Sequence, residues 1–185
     1  MIFYTLLVIL AIQRMMELFI AKRNEKWMKK QGAIEVGQTH YKWIVIVHMC
    51  FFLSLFIEVQ WFQKVVSNWW VWLTLLFVIV QAARVWAISS LGKYWNTKII
   101  ILPEADVVLK GPYKFIKHPN YVIVAIEFIV IPLLFHAHIT MILFSVLNVA
   151  ILSVRIPSEE KALKLFTNYE TSTQQHRRFI PIKKP

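Results

Sequence analysis

Five apolar segments, separated by stretches whose basic charge swings between dense and nearly absent, constrain this chain more than any other feature. They cover about residues 2–20, 43–59, 69–89, 121–135 and 139–154. A membrane-spanning helix needs roughly 20 apolar residues, so the last two are short. Only His136, Ala137 and His138 separate them, with Pro132 just before. They read as a tight helical hairpin whose ends extend into flanking residues.

The charges between segments test this layout. Six basic residues (Lys22, Arg23, Lys26, Lys29, Lys30, Lys42) lie between the first two spans, and Lys64 alone between the second and third. Five (Lys93, Lys98, Lys110, Lys114, Lys117) lie between the third and fourth, and none between the fourth and fifth. Seven (Arg155, Lys161, Lys164, Arg177, Arg178, Lys183, Lys184) follow the fifth. The positive-inside bias then puts the N-terminus outside and the C-terminus in the cytoplasm. Five spans independently require the two termini to lie on opposite faces. A soluble helical bundle gives no reason for such alternation. Composition agrees: 58% of residues are hydrophobic, only 17% are charged, and mean hydropathy is +0.55. The net charge of +11 is divided among short inter-span stretches, which suits anionic lipid headgroups better than nucleic acid. Cys50 is the single cysteine, which excludes a disulfide framework or a multi-cysteine metal site. The N-terminal segment lacks a preceding basic region and a small-residue cleavage site, so it reads as a retained span.

The expected fold is therefore an all-α integral membrane protein of five transmembrane helices, with a polar cytoplasmic loop before the fourth. Residues 157–169 mix Ala162, Leu163, Leu165 and Phe166 with Glu159, Glu160, Lys161 and Lys164, the pattern of a short C-terminal amphipathic helix lying on the membrane surface. Ser158 is its candidate N-cap, and the glutamates would complement the helix dipole. The chain divides into an N-terminal three-helix membrane region, 1–90, and a C-terminal module, 91–185.

Two polar stretches lie close to membrane ends. The first holds Lys110, Gly111, Pro112, Tyr113, Lys114, Phe115, Ile116, Lys117, His118, Pro119, Asn120 and Tyr121. Gly-Pro makes a turn, His-Pro-Asn stops any helix ahead of the fourth span, and Gly111 allows close approach of backbone to a ligand. On residue types alone, tyrosines of an interfacial belt and lysines facing headgroups explain the loop equally well. The second is Arg155-Ile156-Pro157-Ser158-Glu159-Glu160. A carboxylate there could pair with an amino group and Arg155 could hold an anion; a positive-inside arginine followed by dipole-complementing glutamates is the plainer alternative.

Taken together, Gly-Pro-Tyr-Lys-Phe-Ile-Lys-His-Pro-Asn-Tyr and Arg-Ile-Pro-Ser-Glu-Glu, spaced around a helical hairpin, resemble the isoprenylcysteine carboxyl methyltransferase family over about residues 91–181. Lys117 stands where the family usually has Arg, Val122 and Ile123 replace a small residue, and Glu127 falls within the fourth span. The N-terminal stretch, with Arg14, Glu17, Arg23-Asn24 and Gly37-Gln38-Thr39-His40-Tyr41, is similar to a bacterial branch that includes alkylpyrone O-methyltransferases associated with type III polyketide synthases. The resemblance implies S-adenosylmethionine as cofactor, bound by Lys110, Gly111, Pro112, Tyr113, His118, Pro119, Asn120, Tyr121, Glu159 and Glu160. It implies Arg155 and Glu160 as catalytic residues, and a lipophilic small-molecule acceptor, with a carboxylate or hydroxyl to be methylated at the cytoplasmic face of the plasma membrane. Phospholipid methyltransferases and the longer sterol reductases share the module, so a reductase, or a non-catalytic membrane scaffold or transporter subunit, is the competing expectation.

Arg14, Glu17, Arg84 and Glu127 lie within expected spans, where charge is expensive and faces a partner or a cavity. Arg14 and Glu17, three apart, are expected to pair on one helix face. His48 and Cys50 are expected to pack inside. His136 and His138 share the outer turn with no third ligand nearby, so no metal is expected.

Overall fold

The computed structural model describes residues 1–173 and 176–179, without the side chains of Thr39 and His40. Lys183 and Lys184, counted above among the basic residues after the fifth span, and residues 174–175 and 180–181 of the family resemblance lie outside the described residues.

The chain is an all-α membrane protein. Helices α1 (Ile2–Lys30), α2 (Gln38–Trp61), α3 (Trp70–Leu91) and α5 (His138–Phe166) are long and apolar enough to cross a bilayer. The fourth helix, α4 (Pro119–Leu133), is shorter, 15 residues. It starts at Pro119, which needs no amide partner in the first turn, and ends just past Pro132. It packs between α3 and α5, and Ile123, Glu127, Phe128, Val130 and Ile131 are buried. At 29 residues each, α1 and α5 are roughly 43 Å long at 1.5 Å per residue, well beyond the ~30 Å hydrocarbon core. Both run on past the membrane at the end that carries the lysine-rich connections, called here the basic end.

The main core lies toward the opposite end. Phe51 sits 4.6 Å from Phe128 and 5.5 Å from Phe144, ring centre to ring centre, and Phe3 meets Phe135 edge-on at 4.9 Å. The hairpin turn between α4 and α5, residues 134–137, includes His136 at φ +52°. Outward faces of the helices stay apolar; Trp69, Trp70 and Trp72 at the start of α3 are exposed, as expected for lipid-facing, interfacial side chains.

At the basic end two short strands pair antiparallel, β1 (Ile34–Val36) and β2 (Ile99–Ile101), with Ile34 opposite Ile101 and Val36 opposite Ile99. Ile99 and Ile101 pack beneath Ala162, Leu163 and Phe166 of α5. This small sheet pins the α1–α2 connection to the chain ahead of the site.

The structure corrects the reading of residues 157–169. No separate surface helix starts at Ser158: α5 continues through Pro157 to Phe166. Ser158 Oγ donates back to Val154 O at 2.8 Å, a bond of the helix interior and not a cap. Loss of one amide at Pro157 is offset by burial of Ile156 and Ala162 on the continuing helix. A distinct four-residue helix follows, α6 (Tyr169–Ser172). Cys50, expected inside, is exposed.

Candidate active site

Because α5 is continuous, Arg155 and Glu159 stand one turn apart on the same face, while Glu160 is rotated about 100° from Glu159. This phase separates their partners. Arg155 donates from Nε to the Tyr121 hydroxyl at 2.7 Å and from Nη2 to the carbonyl of Thr97 at 2.6 Å. Its guanidinium lies 5.8 Å from the Tyr121 ring centre. The Tyr121 hydroxyl in turn donates to the Glu159 carboxylate. Two anchors hold the guanidinium plane, and Nη1 makes no hydrogen bond among the described residues.

Glu160 turns toward His118 and the C-terminal segment. Its Oε1 lies 3.0 Å from His118 Nε2, and Arg178 grips both oxygens at 2.9 and 2.6 Å. The amides of Lys117 and His118 donate to the carbonyls of Arg177 and Arg178 at 3.0 and 3.2 Å, which lays that segment alongside the loop. His118 stacks on Tyr121 with 5.4 Å between ring centres.

The loop before α4 is a one-turn 3₁₀ helix, Gly111–Lys114. Gly111 has φ +55°, and a Cβ there would lie 2.0 Å from Ser90 Oγ. The glycine is required by close packing on α3, which replaces the expectation of close approach to a ligand. That packing brings Tyr113 to the site, where its hydroxyl accepts from Asn120 Nδ2 at 3.0 Å. Burial, reinforced by the Glu159 carboxylate, pushes the Tyr113 phenol well above its ordinary range, so it keeps its proton at neutral pH.

One cavity of about 320 Å³ gathers these groups. Tyr113, His118, Asn120, Tyr121, Arg155 and Glu159 line it. Lys110, Gly111, Pro112 and Pro119 shape the turn and the helix start, outside the lining; Glu160 also stands behind the wall and reaches the site through His118. The stretch from Trp95 to Leu109, which sequence reasoning did not single out, forms another wall, with Thr97 fixing Arg155. In the sequence Arg178 counts only as one more basic residue after the fifth span; nothing local pairs it with Glu160.

The cavity continues from the basic end toward the membrane interior. There it meets Arg14, Glu17, Arg84 and His48. Arg14 and Glu17 pair as expected, at 2.8 Å, but each is shared: Arg84 reaches Glu17 at 2.8 Å and Glu127 at 2.6 Å, and Arg14 reaches Glu127 at 2.7 Å. His48 donates from Nδ1 to Ile44 O at 2.8 Å and leans on Phe128.

Comparison with known proteins adds two findings. A family model described as the isoprenylcysteine carboxyl methyltransferase family matches residues 72–165, which include the whole of α4 and nearly all of α5. Among curated relatives, the uncharacterized protein YpbQ of Bacillus subtilis (strain 168) is 49% identical over 165 residues, covering 89% of this chain and 98% of that one. An uncharacterized protein of Haemophilus influenzae is 33% identical over 157 residues, covering 84% and 90%.

Proposed function

Since the chain belongs to the isoprenylcysteine carboxyl methyltransferase family, whose members are membrane methyltransferases, we propose that its cavity binds S-adenosylmethionine and directs the methyl group to an oxygen of a lipophilic acceptor. One observation carries this reading: Arg155 and Glu159, one helical turn apart on α5, line with Tyr113, Asn120 and Tyr121 one cavity that runs from the basic end toward the membrane interior.

The donor set suits the cofactor. Glu159 offers a carboxylate for the amino group of its methionine part. Tyr113 offers an aromatic ring to a sulfonium cation, and Asn120 a hydrogen-bonding amide. When bound, S-adenosylmethionine supplies an electrophilic methyl group for in-line displacement.

The protein's own contribution is alignment, charge and exclusion of water. Arg155, clamped by Tyr121 and Thr97, keeps its free Nη1 donors for the acceptor oxygen. Glu160 acts one step removed, holding His118 and through it the Tyr121 ring. His118, fixed by Glu160 through Nε2, is assigned no role as a general base. None is required if the acceptor is a carboxylate or an acidic enol, such as an isoprenylcysteine-like acid or an alkylpyrone-type hydroxyl, because either is ionised near neutral pH. The alternation of basic charge supports an orientation with the basic end in the cytoplasm of the plasma membrane and the N-terminus outside. The cofactor would then enter from water and the acceptor from the bilayer.

Calorimetry with S-adenosylhomocysteine on the detergent-purified protein tests the reading. Saturable binding that weakens at least tenfold in Glu159→Gln is expected; absence of heat from protein that remains folded overturns it.

A further inference from the structure

The inner end of the cavity is polar at a depth where polarity is expensive. Six side chains from three helices form one network: Gln13, Arg14 and Glu17 of α1, Gln81 and Arg84 of α3, and Glu127 of α4. Gln13 donates to Gln81 at 2.7 Å, and Gln81 to Glu127 at 2.7 Å. Glu127 lies six residues beyond Tyr121 on α4, about 9 Å along the helix axis, on the membrane side of the proposed reaction centre.

Three features mark this network as more than a clamp. Two guanidinium groups face two carboxylates, so its formal charge is zero. Its donors exceed its acceptors: Nε of Arg14 and Nε of Arg84 are buried without a hydrogen-bond partner among the described residues, although Arg84 is only 5% exposed. Arg14, Glu17 and Arg84 also line the same cavity as Arg155 and Glu159, with His48 beside them. His48 spends Nδ1 on Ile44 O, which leaves Nε2 as a further polar atom.

We propose that this intramembrane network is a second recognition point for the acceptor, taking an uncharged hydroxyl or carbonyl oxygen that the acceptor carries in addition to the oxygen that is methylated. The inference rests on the methyltransferase reading for the word acceptor; the chemistry of the site does not. A carboxylate at this position would add an unbalanced charge to a neutral, water-poor cluster. A bare alkyl chain would leave the surplus donors unmet. A neutral oxygen meets them and adds no charge.

Three twelve-carbon probes separate these cases in lipid nanodiscs at pH 7.5: 1-dodecanol, dodecane and laurate. The readout is the thermal unfolding midpoint, which ligand binding raises by mass action. For 1-dodecanol in tenfold excess over its dissociation constant, a rise of about 3 to 6 °C is expected, with no comparable rise for dodecane or laurate. Arg14→Lys and Arg84→Lys keep the positive charges but remove the unpartnered Nε donors, and each should abolish the rise. An equal rise with dodecane, a larger one with laurate, no rise with any probe, or a rise that both variants retain overturns the inference. The ranking of probes on the unmodified protein decides the matter even if a variant fails to fold. S-adenosylhomocysteine calorimetry on the same sample keeps the two ideas apart. Cofactor binding without a dodecanol response sinks only the recognition point, and a dodecanol response without cofactor binding sinks only the methyltransferase reading.

Discussion

The Arg155 guanidinium donates to the Tyr121 hydroxyl at 2.7 Å and is braced from its other side by the backbone of Thr97. A guanidinium held at two edges presents its remaining N–H groups in a fixed direction, which is what orientation of an acceptor oxygen demands. Arg155→Ala is expected to lower turnover at least about 100-fold, the scale seen when one positioned donor is removed from developing charge. Affinity for S-adenosylhomocysteine should change only a few-fold. Arg155→Lys should not restore turnover, because an ammonium cannot reach Tyr121, Thr97 and the acceptor together. Full activity in the lysine variant would show that charge alone suffices.

The His118–Glu160–Arg178 arrangement predicts an asymmetry. Removing the carboxylate strands the buried His118 imidazole and frees Arg178, whereas removing Arg178, whose side chain is 51% exposed, leaves the buried pair intact. Glu160→Ala should cost about 1–3 kcal/mol and Arg178→Ala less than about 1 kcal/mol, measured by chemical unfolding in a fixed detergent. Equal costs would mean that Arg178 does more than cover the pair.

Much of this architecture was legible in the sequence, and the failures have physical causes. The spans announce themselves through apolar runs of some fifteen to twenty residues, which a short loop cannot imitate. The Arg14–Glu17 pair was legible because it is local. Its sharing with Arg84 and Glu127 was not, since it depends on the rotational phase of three helices. Residues 157–169 read as a separate surface helix because apolar and charged residues mix there and Ser158 offers a cap; tertiary burial of Ile156 and Ala162 carries α5 through Pro157 instead. Strands β1 and β2 are three residues each and more than sixty apart, too short to show alternation.

At the far end of the bundle, Glu58 of α2 caps α5. Its carboxylate accepts from the amides of Ile139 at 3.1 Å and Thr140 at 2.7 Å, and the residue is 4% exposed. Glu58→Ala leaves two first-turn donors unmet and should cost about 1–3 kcal/mol, with little change in cofactor affinity because the site lies at the opposite end. A large loss of affinity at unchanged stability would contradict that separation.

Gly111→Ala should be worse than its size suggests. The substitution meets both a left-handed φ of +55° and a Cβ position 2.0 Å from Ser90 Oγ. Ser90→Gly in the same chain relieves the collision with Ser90 but neither the 3.0 Å contact with Trp86 Nε1 nor the backbone strain. The double variant is therefore expected to recover part of the lost cofactor affinity, measured by calorimetry, while complete recovery would show that φ is immaterial.

The last prediction concerns pH and the small sheet. Lys29 joins Glu25 and Glu35 at 2.6 Å each, and Lys98 reaches Glu25 at 2.8 Å and Glu35 at 3.2 Å, tying α1 to the β1–β2 pair. The hydrogen bond from Lys29, with help from Lys98, holds the Glu35 carboxyl below its ordinary range despite partial burial. The hydrogen bond to Glu25 raises Lys98 above its ordinary value of 10.5. For a depressed carboxyl, stability is fully present above the unfolded value of about 4.3 and is lost as pH falls through the lower folded value. For a raised lysine, stability is fully present below the unfolded value and is lost as pH rises through the higher folded one. The cluster should therefore contribute a constant amount from about pH 5 to 10 and fade on either side. Glu35→Gln removes that carboxyl's share of the acid-side part and leaves Glu25's in place. The gap in unfolding midpoint between the unmodified protein and this variant should be flat across neutral pH and should narrow steadily below about pH 4. A gap that stays constant down to pH 3 would mean that Glu35 is not stabilised as a charged partner of the two lysines.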